Sequence, residues 1–527
     1  MSKDDTLDAF KERLEQAFSQ IPNSFSDLNF KKTTHVTNEE RSMQTDVETE
    51  NFIKTIENFN LKPKDLKNYL DRYVIKQHEA KKVLSVAICD HYNHVRDCIE
   101  HPEKADQMYH KQNVLVLGPT GVGKTYLIRN IAKRIGVPFV KADATKFSET
   151  GYIGGDVEDL VRDLVKVANG NVDLAQYGII YVDEIDKIAS MGNSQGRDVS
   201  GRGVQINLLK LMEESDVNLV TPTDMMGQLQ AVMDMQRGQG SKKKTKINTR
   251  HILFIFSGAF DKLAELVKRR IDQGTIGFNV MPLSDEADAQ NYLHQVQTQD
   301  FIQYGFEPEF IGRIPIRVAC DPLNKVDLAR ILIDAESSIL KQYKDDFNGY
   351  SINMEITNEA IQEIAAKAEK EKTGARGLMT VFEKTLRNFK FELPSSGIHF
   401  FEVNTDTVAD PEKALHNLLL QNQSLLHNQR MADIEMYCSV FQKENNLSIR
   451  FTEEAVKELI RQSILQDKTI PNLCAEMFKD LAYGLKIVAR NEEKDAFELD
   501  KDFILDPQKT ISQWIVGSFP QKQKEGE

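Results

Sequence analysis

The string GPTGVGKTY, residues 118–126, collects the groups needed to hold a nucleotide phosphate. Gly118, Gly121 and Gly123 permit tight turns and close backbone approach, so several N–H groups can converge on one anion. Pro119, Thr120, Val122 and Tyr126 complete the nucleotide-binding run. Lys124 can reach the β- and γ-phosphates, and the Thr125 hydroxyl can ligate Mg2+. A second string, YVDEIDKI, ends in acids: Asp183 is suited to hold the hydration shell of that Mg2+, and Glu184 to polarise an attacking water. The chemistry expected is hydrolysis of a nucleoside triphosphate, with Mg2+, by the chain's own glutamate.

These groups need particular elements beneath them. NVLVLG (113–118) is a short apolar run of the kind found in buried parallel strands, and TYLIRNIAKRIG reads as a helix stopped by Gly136. The helix N-terminus adds its positive end to the phosphate site. GIIYVDE (178–184) is a second apolar strand with the acids at its tip. The fold class expected is α/β, with a mostly parallel sheet and the nucleotide at the carboxyl ends of its strands.

The whole chain sets outer limits. Its 527 residues exceed one ordinary domain, and 40% hydrophobic with 28% charged residues suits a globular protein. A net charge of −13 disfavours a general nucleic-acid binder. No apolar run approaches the ~20 residues of a membrane span, and MSKDDTLDAFKERLEQ has no secretory core. Cys89, Cys98, Cys320, Cys438 and Cys474 form no CxxC pair, which fits a reducing cytoplasm. Cys89, His91, His94 and Cys98 lie close together without finger or ribbon spacing, so no zinc is expected. Leu7, Phe10, Leu14 and Phe18 share a helical face, fit either for docking on the body or for binding an adaptor or substrate; residues 31–50 read as a polar linker.

From LDRYVIKQHEAKKVL (70–84) to KTGARGL (372–378) the chain resembles the ClpX-like AAA+ protein unfoldases of the Clp/HslU group. The strings carrying the resemblance are YVDEIDKI, RDVSGRGVQINLLKLME (197–213), ILFIFSGAF (252–260), GTIGF (274–278) and EPEFIGRIP (307–315). ATKFSETGYIG leans towards HslU, but HslU carries a long insertion after this point and the present chain does not. The resemblance implies a homo-hexameric ring that hydrolyses ATP at subunit interfaces and draws protein substrates through its centre. It implies that Tyr152, Ile153 and Gly154 form the gripping pore loop, and that Val199 and Arg202 belong to a second pore loop. By the same resemblance Arg313 is the finger offered to a neighbouring subunit, Arg376 is a sensor arginine, and Val74 with Ile75 contacts the adenine. Ile276, Gly277 and Phe278 match the loop that docks a ClpP-type peptidase. Which residue near residue 257 senses the phosphate is open, Ser257 being one candidate. The function expected is an ATP-dependent unfoldase feeding a peptidase, or alternatively a stand-alone remodelling ATPase; no nucleic-acid or membrane partner is expected.

Four departures from the family stand out. The zinc-binding N-terminal domain is missing. Lys76 stands where the family has glycine. Gly155 and Arg202 replace glutamates, and QRGQGSKKKTK (236–246) rewrites the pore-entry loop, as a solvated basic loop or as a positive mouth for acidic tails. Finally, the chain continues past its small domain with a degenerate internal repeat: EITNEAIQEIAAKA matches RFTEEAVKELIRQS, and FEVNTDTVADPEKAL matches FELDKDFILDPQKTI once one residue is inserted. Pro471 falls where Arg376 stands, so the second copy is expected to lack ATPase work and to serve ring packing or partner docking. The organisation expected is an N-terminal helix and linker (1–60), an AAA+ large domain (61–318), a mainly helical α+β small domain (319–415) and its degenerate copy (416–527).

Overall fold

The computed structural model describes residues 56, 59–104, 110–147, 155–189, 199–219, 245–272 and 291–519. The chain divides into two units, residues 1–58 and 59–527, and the architecture below is that of the second.

Two helices lead in, α1 (Pro63–Asp71) and α2 (His78–Glu100). Strand β1 (Val114–Leu117) follows, all four of its residues buried. A strand covered on both faces has no polar side to alternate with, which is why VLVL is continuous rather than patterned. Helix α3 (Lys124–Ile135) leaves the phosphate loop and stops at Gly136, whose left-handed φ of 84° closes its last turn. Then come β2 (Phe139–Asp143), α4 (Asp159–Val167) and β3 (Ile179–Asp183). Helix α5 (Val199–Met212) precedes an antiparallel pair, β4 (Asp216–Asn218) with β5 (Lys246–Asn248). Strand β6 (Leu253–Gly258), α6 (Leu263–Asp272), α7 (Pro308–Gly312) and β7 (Ile316–Ala319) complete this part.

Five strands form one parallel sheet in the order β2-β3-β6-β1-β7. Its register fixes the site. Leu117 lies opposite Gly258 on one side and Ala319 on the other, while Asp143 lies opposite Asp183. The residues that follow these positions therefore share one rim of the sheet, the rim where open α/β folds bind ligands.

Beyond the sheet the chain is largely helical and builds two further cores. The first runs from Leu328 to Leu415 and the second from Ile434 to Ile504. Each contains one parallel strand pair, β8 (Asn353–Ile356) with β9 (Phe400–Val403), and β10 (Ser448–Phe451) with β11 (Ala496–Leu499). The likeness extends to single bonds. Thr357 N donates to Val403 O and Thr452 N to Leu499 O, both at 3.0 Å. Thr357 caps the helix Asn358–Lys370, and Thr452 caps Glu453–Gln466, each accepting from the third residue on. The copies differ where the first has one long helix, Ala375–Glu392: the second has two, Ile470–Met477 and Leu481–Glu492. Residue 415 lies inside the helix Pro411–Gln421, whose Leu415, Leu418 and Leu419 pack onto the first helical core; Asn422 separates it from the next helix, Gln423–Asn445.

Candidate active site

The phosphate loop crosses the sheet rim between β1 and α3. Gly118, Gly121 and Gly123 all have positive φ, 133°, 78° and 94°. Two of them are also in close contact. A Cβ on Gly118 would lie 2.5 Å from Cys320 O, and one on Gly121 would lie 1.9 Å from Thr373 O. Only glycine fits both positions, for space as well as for backbone conformation. Lys124 Nζ donates to the Gly118 and Pro119 carbonyls at 2.6 and 2.9 Å, which holds it over the loop. Burial pushes the Lys124 pKa below its ordinary value, partly countered by Asp183 and Asp186.

Asp183 sits at the tip of β3 in a dense polar cluster. Thr125 Oγ1 donates to its Oδ2 at 3.2 Å, and Ser257 Oγ donates to its Oδ1 at 2.5 Å. The Tyr181 hydroxyl is 2.6 Å from Ser257 Oγ and 3.2 Å from Thr125 Oγ1. Since the one Ser257 proton goes to Asp183, Tyr181 donates to Ser257. Lys141, on β2, brings its ammonium 3.1 Å from Asp183 Oδ2 and 3.5 Å from Thr125 Oγ1. Burial works to raise the Asp183 pKa, but the Ser257 and Lys141 hydrogen bonds and the lysine charge overcome it and hold the carboxyl below its ordinary value. Thr125 and Asp183 thus present two oxygens to a cation at one spot, a donor set that suits a hard divalent ion such as Mg2+.

Glu184 follows in the left-handed conformation, φ 56°, with its side chain exposed at the rim. Its N–H donates to Asp183 Oδ1 at 3.2 Å. Asp186, buried, accepts from Ala259 N at 3.2 Å and ties the turn after β3 to the end of β6.

The first helical core closes on the same loop. Ala375 N donates to Gly121 O at 2.9 Å, so Arg376, exposed at the start of the helix Ala375–Glu392, stands beside the phosphate loop. Val74 and Ile75 are buried, and the Val74 Cγ1 is 3.9 Å from where a Cβ on Gly123 would lie.

Arg313 lies elsewhere. It caps α7, its carbonyl accepts from Asn113 Nδ2 at 3.0 Å, and its guanidinium pairs with Glu213 at 2.7 Å. Asn113 precedes β1 whereas the phosphate loop follows it, so Arg313 is at the opposite rim of the sheet. Phe310 of α7 meets Phe256 edge-to-face and stacks on Phe306, with ring centroids 5.5 and 6.0 Å away, which anchors the helix. Arg202, on α5, pairs with Glu307 at 2.9 Å, and Gln205 bridges Ile188 O and Glu307 N at 3.0 and 2.8 Å. Val199 opens α5. Tyr152, Ile153, Gly154, Ile276, Gly277 and Phe278 lie outside the described residues, as do the N-terminal helix and most of the basic loop. Among the described residues no cluster of three or more metal-ligating side chains is present; His94 Nε2 is 3.4 Å from Cys98 Sγ.

Reading the residues in sequence missed Lys141 and Tyr181. Lys141 belongs to no motif and Tyr181 only opens YVDEIDKI; each gets its place beside Asp183 from the pairing of β2, β3 and β6. Lys141→Met is expected to lower the Mg2+ concentration for half-maximal ATP turnover by roughly three- to tenfold, because a positive charge is removed from beside the carboxylate. A Mg2+ titration of the steady-state ATPase checks this, and an unshifted midpoint counts against it.

A family model for the AAA domain (Cdc48 subfamily) matches residues 109–317, and one for the C-terminal, D2-small domain of ClpB protein matches residues 323–399. The chain is 41% identical over 336 residues to the ATP-dependent Clp protease ATP-binding subunit ClpX of Borrelia duttonii, covering 63% of this chain and 75% of that protein. It is 43% identical over 337 residues to the ClpX of Treponema denticola, covering 63% and 77%. Against the ClpX of Bacteroides fragilis it is 38% identical over 347 residues, covering 66% and 80%.

Proposed function

Starting from the fact that this chain belongs to the ClpX family of AAA+ ATPases, we propose that it is an ATP-driven protein unfoldase working as a homo-hexameric ring. The position of Arg313 carries this reading. It is separated from its own phosphate loop by the length of β1, whose four residues span about 13 Å at ~3.3 Å each. A finger so placed serves the nucleotide of a neighbouring copy, which requires a head-to-tail interface repeated from copy to copy; where that repeat closes it makes a ring.

Within one subunit this reading assigns the following roles. Lys124 exchanges the carbonyls of Gly118 and Pro119 for phosphate oxygens. Asp183 and Thr125 hold Mg2+, which when bound neutralises charge on the phosphates. Ser257 and Lys141 keep Asp183 ionised, Tyr181 orients Ser257 by donating to it, and Ser257 lies where a phosphate sensor is needed. Glu184 polarises the attacking water. Arg376, on a helix hydrogen-bonded to Gly121, passes the state of the phosphates to the helical part. Tyr152, Ile153 and Gly154, with Val199 and Arg202, grip the substrate protein, and Val74 and Ile75 flank the adenine.

The organisation we propose is an N-terminal segment to residue 60, a large ATPase domain over 61–318, a small domain and a second copy of it without a sensor arginine. The free cysteines suit a reducing, cytoplasmic setting. Ile276, Gly277 and Phe278 dock a ClpP-type peptidase; that the relatives are ATP-binding subunits of a Clp protease supports such a partner.

The test uses a tagged, folded fluorescent reporter. Tyr152→Ala is expected to keep at least half the ATPase rate and to lose reporter unfolding by roughly tenfold or more, since grip resides in the side chain and hydrolysis at the interface. Phe278→Ala is expected to keep unfolding and lose co-purification with the peptidase, because a buried anchor of this kind carries ~2 kcal/mol or more, multiplied around a ring. Unfolding by Tyr152→Ala equal to wild type overturns the pore role. Unfolding without peptidase stimulation by the intact chain makes it a stand-alone remodelling ATPase.

A further inference from the structure

The segment Arg72–Gln77 joins the phosphate loop to the base of the first helical core. On one side Val74 packs by Gly123. On the other, the contacts run to the connection that leaves β7 and to the helix after it, Lys325–Ile333. Gln77 makes a reciprocal pair with the Asp321 backbone, donating to its carbonyl and accepting from its N–H, both at 2.7 Å. Arg72 O accepts from Glu336 N at 3.0 Å, and its guanidinium pairs with Glu336 at 2.7 Å. Between these, Lys76 Nζ donates to Pro322 O at 2.8 Å and to Asp327 Oδ2 at 2.7 Å.

Lys76 is the odd member of this strap. Its φ is 61° and that of Gln77 is 54°, two consecutive non-glycine residues in the left-handed region. That conformation is unfavourable for any side chain with a Cβ. The lysine side chain is tied at both ends of its reach, and the ion pair is largely sheltered, with 27% and 13% of the two side chains exposed. Asp327 is itself fixed, its Oδ2 accepting from Asn324 N at 3.1 Å. A sheltered, doubly bonded ammonium is worth more than a surface pair, because little of it is screened.

The nucleotide site is built from both sides of this connection: the loop and Asp183 from the sheet, Arg376 from the helical core, Val74 and Ile75 from the strap. We propose that Lys76 is a positioning residue of the ATPase cycle, a latch that holds the strap to Asp327 and so sets how fast spent nucleotide leaves. Turning the helical core away from the loop requires Nζ to leave Asp327 and Pro322. The latch thus slows release without touching phosphate or water.

The experiment measures release of a fluorescent ADP analogue from the full chain, with single-turnover hydrolysis in parallel. Lys76→Met is expected to speed release roughly five- to tenfold, the scale of a hydrogen bond to a charged group, and to raise the KM for ATP in proportion. Single-turnover hydrolysis should stay within about twofold, because no group that meets the reacting atoms has changed. Lys76→Arg should restore slow release. Lys76→Gly should relax the backbone, raising the unfolding midpoint, and still release quickly; a merely structural lysine would change only the first. Asp327→Asn should match Lys76→Met, with the double variant no faster than either. Release from Lys76→Met within twofold of wild type, or effects of the two substitutions that multiply, overturns the latch. Should Asp327→Asn fail to fold through loss of its cap, the methionine and arginine variants decide alone.

Discussion

Glu184→Gln is expected to bind ATP and assemble normally while hydrolysing it roughly 10²–10⁴ times more slowly, the usual contribution of a positioned general base. The structure gives this substitution little else to disturb. Glu184 is exposed, its N–H bond to Asp183 is a backbone bond that glutamine retains, and the Thr125, Ser257 and Lys141 contacts all belong to Asp183. Lys124→Ala should instead lose nucleotide binding, because the group that meets the phosphates is gone. Steady-state phosphate release and equilibrium binding of a fluorescent ATP analogue separate the two. Hydrolysis by Glu184→Gln within about twofold of wild type would assign the base elsewhere. If the proposed ring forms, the same variant is expected to hold substrate in its ATP-loaded state and is the means to capture the proteins it acts on.

Gly121→Ala is expected to be nearly as damaging, for a different reason. The new methyl would lie 1.9 Å from Thr373 O, a backbone atom with no freedom to turn aside. Relief requires the helical core to move off the loop, breaking the Ala375–Gly121 bond and withdrawing Arg376. ATP affinity should fall by roughly 10–100-fold, consistent with a lost charged contact and a lost hydrogen bond. Gly136→Ala is the control. Its φ of 84° is similar, yet nothing lies within 4 Å of the added carbon. It carries only the left-handed strain of ~1–2 kcal/mol and should bind ATP normally. Equal affinity loss in both variants would mean that the contact between loop and helical core contributes nothing.

The features legible in the sequence are those whose parts are contiguous. The strand, loop and helix of residues 113–135 lie side by side in the chain, so residue type alone placed Lys124 and Thr125 at a phosphate. The acids ending β3 were read in the same way. The repeat was legible because side-chain burial in each copy recurs at the same spacing. Its caps at Thr357 and Thr452 and its paired strands follow that spacing, and the inserted residue lies between the first strand of each pair and the second. The split of the second copy's long helix into two was not legible, since no residue there is a helix breaker beyond Pro471 at its start.

What the sequence determined by itself, then, was the chemistry and the class: a loop for ATP, two acids to use it, and strings that match one family. What only the tertiary structure decided was which distant groups meet at that loop. Lys141 and Ser257 reach Asp183 because β2, β3 and β6 are neighbours in the sheet, an order that chain order does not encode. Arg313 is at the far rim because parallel strands put every residue before a strand at one edge and every residue after it at the other. Lys76 is, in the sequence, only a lysine where the family has glycine, until the connection after β7 brings Asp327 within 2.7 Å of it. Local propensity and motif act over a few residues, whereas hydrogen bonds and ion pairs at the site are made between segments whose separation along the chain carries no information about their distance in space.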